Sequence, residues 1–350
     1  MTAPHLPHHG LSPARLAWRR FRRHRPAMGA TIYIVLLLLT AIIGPEVWRW
    51  EMDQLDDEYL ELYAQEHDRR QEQMLVLEDS YLARGVAIER LDALIEQALG
   101  PLEYPLPAPP SWRHPLGTDA LGRDVLARIL HGARISLTVA FAASFIALIV
   151  GVIYGAIAGY VGGWPGLLMM RIVDVLYGIP FLLFVILFIL VLEGDFASGA
   201  PLLLGEWSRM VIILLALGIT YWLPMARVVR AEIMALRTRE YALAARALGA
   251  SHMRILAIHL LPNAMGPIVV MLTLSIPEAI FAEAFLAYIG LGISAPAASW
   301  GTLASEGARY LRSDPFLLLW PALAISTTML AFNFLGDGLR DALDPHDPNR

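Results

Sequence analysis

Two carboxylates, Glu278 and Glu283, stand in the stretch SIPEAIFAEAFLAYIGLG, inside an otherwise apolar run at 264–290. A charged side chain at the centre of a bilayer is unfavourable by about 2.5–3.5 kcal/mol or more on insertion scales, so such groups are candidates for function. Pro277, just before them, lacks a backbone donor and would kink the helix or open its hydrogen-bond ladder. Two readings stand side by side. Pro277, Glu278 and Glu283 form a polar wall that meets a substrate or gate, or Glu283 sits near the outer interface, solvated or paired with an arginine. Arg171 and Asp174, three residues apart in another apolar run, are spaced to pair with each other.

Other chemistry is excluded by residue type. There is no cysteine, hence no thiolate nucleophile, disulfide, Fe–S cluster or cysteine zinc site. There is no lysine either: all 27 basic residues are arginine, and no G-x-x-x-x-G-K-[ST] phosphate loop occurs. H-E-x-x-H, G-x-S-x-G and an aspartate pair with proteolytic spacing are also missing. The expectation is a chain with no catalytic, cofactor or metal site of its own. Any ATP and magnesium belong to a partner subunit. His5, His8 and His9 are residue types that bind metals, but they lie in a tail that reads as disordered, and a tail of that kind is more often inert.

The elements that must position these residues are apolar blocks. The chain has 350 residues, 57% of them hydrophobic, and a mean hydropathy of +0.53. Blocks of about 20 apolar residues match a hydrocarbon core of about 30 Å. Six are present, at 27–47, 135–159, 168–192, 210–226, 264–290 and 316–335. The start of the chain, with Arg15, Arg19, Arg20, Arg22, Arg23 and Arg25, resembles the basic front of a signal peptide. The run that follows is too long for a cleaved signal and lacks a small-residue cleavage site, so it reads as a retained first span.

Those six arginines place the N-terminus in the cytoplasm. Alternation then puts 48–134, 193–209 and 291–315 outside, and 160–167, 227–263 and 336–350 inside. The inside segment 227–263 carries Arg227, Arg230, Arg237, Arg239, Arg246 and Arg254 against Glu232 and Glu240, which agrees with that topology. The expected class is an all-α polytopic protein of the cytoplasmic membrane with six transmembrane helices, N-in and C-in. Its parts are a basic tail (1–26), a first span (27–47), an outer insertion and linker (48–113), a five-helix transmembrane domain (114–341) and a tail (342–350). The bilayer is its solvent, and no feature points to nucleic acid.

The outer segment 51–99 holds fourteen Asp or Glu against four Arg, a net of −10. Leu55, Tyr59, Leu62, Leu75, Leu82, Val86, Leu91, Leu94 and Ile95 recur at roughly helical spacing, which predicts one or two amphipathic helices. A solvated spacer and a docking surface for an external partner both fit this pattern. The stretch PLEYPLPAPPSWRHPLG (101–117) stiffens the return to the membrane. In the second span, Gly151, Gly155 and Gly159 form a double G-x-x-x-G, a face on which another helix packs backbone to backbone.

Between two apolar runs lies REYALAARALGASHMRILAIHLLPN (239–263). Glu240–Leu248 has strong helix propensity. Gly249 suits a left-handed position that ends it. Ser251 caps a second helix over 252–261, which Pro262 is expected to stop. The bent helix–glycine–helix suits either another protein's cleft, gripping its alanines, or the lipid headgroups.

The segment resembles the cytoplasmic loop of ABC-importer permeases, E-A-A-x-x-x-G-x(9)-I-x-L-P. Ala244 and Ala245 match its alanines, Gly249 its glycine (followed by Ala250), and Leu261-Pro262 its end. Leu243 stands in place of the motif's Glu and His259 in place of its Ile, with Glu240 supplying a nearby acid. HPLGTDALGRDVLARILHGARISL (114–137), AGYVGGWPGLLMMRIVDVLYGIP (158–180), AEAFLAYIGLGISAPAASWGTLASEG (282–307) and FNFLGDGLRDALDP (332–345) resemble further landmarks of the C-type subunit of oligopeptide and dipeptide importers. The resemblance implies a type-I ABC importer permease fold and transport of peptides, with nickel or another small solute as the alternative cargo. It also implies a homologous second permease, two cytoplasmic ATPases that receive the 240–262 elbow, and an extracytoplasmic peptide-binding protein. A channel or secondary transporter without an ATPase, and a membrane enzyme, are the competing classes. The acidic insertion is longer than the family usually carries.

Overall fold

Every long apolar block folds as helix, because in a hydrocarbon layer a helix satisfies its own backbone donors and acceptors. The structure, a computed structural model, describes residues 13–84, 86–100, 102, 105–193, 208–293 and 297–343. His5, His8 and His9 lie outside the described residues. In chain order the helices are α1 (Pro13–Arg23), α2 (Arg25–Val47), α3 (Asp57–Ala83), α4 (Ile88–Leu99), α5 (Val125–Val161), α6 (Gly163–Tyr177) and α7 (Phe181–Glu193). They continue with α8 (Ser208–Leu236), α9 (Glu240–Ala247), α10 (His252–Arg254), α11 (Leu261–Tyr288), α12 (Trp300–Ala308) and α13 (Phe316–Leu343). The described residues hold no strand, only isolated bridges at Leu55–Arg123 and Thr118–Asp124.

Among the described residues, five helices are long and apolar enough to cross a membrane: α2, α5, α8, the continuous His252–Tyr288 helix and α13. The third apolar run does not form one straight helix. It divides into α6 and α7, bent by 79° at Gly178-Ile179-Pro180. Pro180 lacks an N–H, and its ring drives the preceding residue out of the helical region, so the chain turns there. Each half is only about 20 Å long, so the pair crosses only as a unit.

The glycines of the second span pack within the chain, against α8. A β-carbon at Gly151 would lie 2.6 Å from Met225 Cβ, and one at Gly159 2.8 Å from the Arg230 carbonyl oxygen. At Gly155 it would strike the carbonyl oxygen of Ala226. Backbone cannot move aside as a side-chain tip can. Gly155→Val is therefore expected to destabilise the α5–α8 pair by about 1–3 kcal/mol. Thermal unfolding in detergent checks this, with Gly155→Ala milder and in the same direction.

The larger core joins Ala30, Ala140, Val185, Leu217, Ile280, Leu286 and Phe332 from six helices around α5. At one end of the bundle Phe21 and Ala27 pack on Ala342, and His24 Nε2 lies 3.7 Å from Asp341 Oδ2. The start of α11 is there too, since a β-carbon on Gly266 would sit 3.7 Å from Leu343 Cβ. The start of α2, the start of α11 and the end of α13 thus share one end. The acidic insertion leaves from the other end of α2.

Candidate functional site

The end shared by α1, α11 and α13 carries the bent segment, and its geometry follows from one glycine. α9 closes with Gly249 at φ +79°, the left-handed position that a side chain strains to adopt. Gly249 N–H donates to the Arg246 carbonyl at 3.0 Å and Ala250 N–H to the Ala245 carbonyl at 3.1 Å. This pair of bonds is the Schellman ending, and it satisfies carbonyls that a helix end would otherwise leave open. Ser251 then caps the next turn, its side chain accepting from Arg254 N–H at 3.4 Å.

One expectation fails here. Pro262 does not stop the second helix. The backbone widens to a π-helical segment over Ile255–Leu260 and runs on through Pro262 into α11. The wider turn gives the pyrrolidine ring the space that an α turn denies it. Asn263 Nδ2 donates to the His259 carbonyl at 2.6 Å and helps satisfy the loosened ladder. The elbow is therefore a rigid extension of a membrane helix, not a loop hung between two spans.

One face of the elbow belongs to the core. Ala242, Ile255, Leu256 and Leu260 are buried against Met225, Val229, Ile233 and Ile268, with Ala245, Ala250 and Leu261 packed around them. The opposite face is open. Glu240, Ala244 and Gly249 are exposed, and the bend carries two apolar side chains into solvent: Leu248 is 88% exposed and Met253 73%. Leu243, at the position where the sequence departs from the motif, is 49% exposed. His259 is half-buried. An apolar tip on a fixed bend, flanked by exposed Arg239, Arg246 and Arg254, is suited to insertion into a cleft.

The intramembrane carboxylates separate. Glu283 is fully buried between α5 and α12, where the Ser136 hydroxyl donates to its Oε2 at 3.1 Å. It is closed off from solvent, and among the described residues no arginine pairs with it. Trp300 N–H donates to the same Ser136 Oγ at 3.1 Å, so Glu283 helps seat α12 on α5. Glu278 is exposed on α11, on the other side of buried Pro277. Exposed Phe281 and Phe285 follow it, their rings stacked at 6.5 Å. A carboxylate open at membrane depth requires water or a second protein against it. Asp174 takes its closer partner from α8: Arg227 Nη2 lies 2.9 Å away, against 4.0 Å for Arg171.

Residues 147–346 match the family model "Binding-protein-dependent transport system inner membrane component". The chain belongs to that family. Residues 12–64 also match "N-terminal TM domain of oligopeptide transport permease C". The permease is 40% identical over 336 residues to the dipeptide transport system permease protein DppC of Bacillus subtilis, covering 96% of this chain and 86% of that protein. It is 48% identical to the oligopeptide transport system permease protein OppC of B. subtilis over 237 residues (68% of this chain, 73% of that protein). Against OppC of Salmonella typhimurium it is 46% identical over 234 residues (67% and 73%). A solved structure of the MetNI methionine ABC transporter aligns with 61% of the chain and 95% of its own, at a TM-score of 0.49 and 19% identity. The permease is an integral inner-membrane protein.

At its other end the permease holds a buried charged cluster that sequence reasoning missed. Asp56 is the N-cap of α3 and Asp124 that of α5; their side chains accept from Tyr59 N–H at 3.2 Å and Ala127 N–H at 2.7 Å. One imidazole joins the two caps, with His114 Nε2 3.0 Å from Asp56 Oδ2 and Nδ1 2.8 Å from Asp124 Oδ2. Arg113 Nε adds a 2.9 Å contact to Asp56, Trp48 Nε1 donates to Asp124 at 3.1 Å, and Trp50 lies on the His114 ring at 4.8 Å. Burial pulls the His114 pKa down, but hydrogen bonds and charge from Asp124 and Asp56 outweigh it and raise it above the ordinary histidine value. A ring that donates from both nitrogens is an imidazolium. Each Asp immediately precedes a helical stretch, a cap signal present in the sequence; nothing in it shows that the two share one histidine.

Proposed function

We propose that this chain is one permease subunit of an ATP-driven importer that carries oligopeptides or dipeptides into the cell. It performs no catalysis. It pairs with a homologous permease, and two cytoplasmic ATPases hydrolyse ATP while an extracytoplasmic binding protein delivers the peptide. The observation that carries this reading is the elbow. Its apolar tip, Leu248 and Met253, stands in solvent on a bend fixed by Gly249, and the helix behind it continues without a break into α11. A push on the tip is a push on a membrane helix, so closure of an ATPase pair would move the span as a rigid body. The names of the relatives, and the match to the permease C model, support peptide as the cargo.

The reading extends to topology. With the start of α2 and the end of α13 at one end, the chain crosses an even number of times. The bent α6–α7 pair then counts as the sixth crossing, and the arginines put the shared end in the cytoplasm. Exposed Glu278 and the Phe281–Phe285 face lie against the second permease or the pathway between the two subunits.

The test is co-reconstitution of the chain with its candidate second permease and ATPases in lipid vesicles. Peptide together with the binding protein is expected to stimulate ATP hydrolysis several-fold, and the isolated chain to move no peptide. Transport by the isolated chain, or hydrolysis indifferent to binding protein, would overturn the proposal.

A further inference from the structure

The acidic insertion folds as an arm with an unpartnered face. α3 has no buried residue along its 27 positions, and α4 packs along one side of it. Arg70, Met74 and Glu78 line the groove toward Asp92, Ile95 and Glu96 of α4. About a quarter-turn away, Leu75 and Leu82 sit two turns apart on one stripe, 61% and 44% exposed, and Val76 beyond them is 69% exposed. Asp68, Glu72 and Asp79 are exposed along the same side. Leu75 lies about 27 Å along the helix from its anchored start at Asp57. That start is held by the His114 clamp, by Tyr59 Oη donating to the Pro105 carbonyl at 2.8 Å, and by Leu60 lying against Gly122. The arm is firm at its base, and its apolar stripe is far from it.

Charge selects what covers the stripe. A net of −10 over 51–99 repels a second copy of the arm and an anionic lipid surface alike. An acid-rimmed apolar stripe fits a basic face with an apolar centre. Because the arm leaves from the end of α2 opposite the elbow, its partner stands outside the membrane. Building on the importer reading above, we propose that this face of α3 is a docking surface for the extracytoplasmic peptide-binding protein. The stripe supplies contact area, and the acids steer a lysine- or arginine-rich face of that protein onto the permease.

The experiment uses the assembled importer in lipid nanodiscs and the binding protein that stimulates its ATPase. Binding affinity by interferometry, and the binding-protein concentration giving half-maximal ATPase stimulation, are measured at two salt concentrations. The double variant Leu75→Ser/Leu82→Ser and the triple variant Asp68→Asn/Glu72→Gln/Asp79→Asn are compared with wild type. Each is expected to shift both values at least tenfold, with basal ATPase and complex yield unchanged, and the triple variant to lose most of the salt dependence. Unchanged values in variants whose stimulation remains normal overturn the docking surface and leave the importer reading standing. Absence of stimulation in the wild-type complex instead counts against that reading. Cytochrome c serves as a cationic control: an equal tenfold loss of its binding in the triple variant, with the serine variant leaving the binding protein's affinity unchanged, would reduce the effect to general charge attraction and overturn the proposal. A fall in complex yield would assign the stripe to the second permease and do the same.

Discussion

Gly249→Pro is expected to leave the chain inserted in the membrane while binding-protein-stimulated ATP hydrolysis by the reconstituted importer falls about a hundredfold or more. Proline fixes φ near −65° and has no N–H. The native φ is +79°, and the Gly249 N–H bond to Arg246 closes α9, so both the bend and one of its two bonds are lost. Leu248→Asp makes the same point without touching the backbone. At 88% exposure the change has little effect on the isolated fold, but it places an unpaired carboxylate in any apolar cleft that receives the tip. Truncated interface anchors lose about 2 kcal/mol or more, and a buried charge loses more than that. Gly249→Ala is intermediate: its β-carbon meets nothing within 4 Å, so only backbone strain of about 1–2 kcal/mol remains. Stimulated ATPase rates, alongside protease protection of the inserted chain, separate loss of coupling from loss of folding.

His114→Ala is expected to lower stability by about 3–5 kcal/mol, because it leaves Asp124 buried with no cation beside it and Asp56 with Arg113 alone. Both carboxylates are within 2% of full burial, so solvent does not compensate. The arm should loosen first, since His114 is one of the few contacts that fix its base. The same cluster makes wild-type stability depend on pH. The folded pKa of His114 is raised, so its contribution is fully present below the unfolded histidine value of about 6.5 and is lost as pH rises through the folded value. Unfolding followed between pH 6 and 9 by tryptophan fluorescence, with Trp50 against the ring, should show stability falling with pH in the wild type. The alanine variant should lack that slope. A flat wild-type profile would remove the imidazolium from the account.

The parts legible in the sequence were those that local chemistry decides. Gly249 and Ser251 specify their turn within four residues, and the structure places both where the pattern puts them. Apolar run length was enough to locate five spans. The bend in the third run was also written locally, as Gly178-Ile179-Pro180, but a hydropathy reading averages over it. Pro262 shows the opposite error: its usual effect was overridden by a π turn, whose residues Ile255, Leu256 and Leu260 pack into a core built from distant helices. Glu283 could not be placed from sequence, because its surroundings come from Ser136 on α5 and from α12, far along the chain. The His114 clamp joins residues 56, 114 and 124 for the same reason. Contacts at long separation are set by tertiary packing, and no window of sequence holds them.

On the importer reading, the elbow at Leu248–Met253 enters an ATPase subunit. The chain has no cysteine, so Leu248→Cys gives a single reactive site. In the reconstituted importer, a short thiol cross-linker at that position should join the permease to an ATPase subunit, with a yield that changes when ATP is added. Labelling by a lipid-soluble thiol reagent instead, with no ATPase adduct in either nucleotide state, would place the elbow in the headgroups and contradict the account.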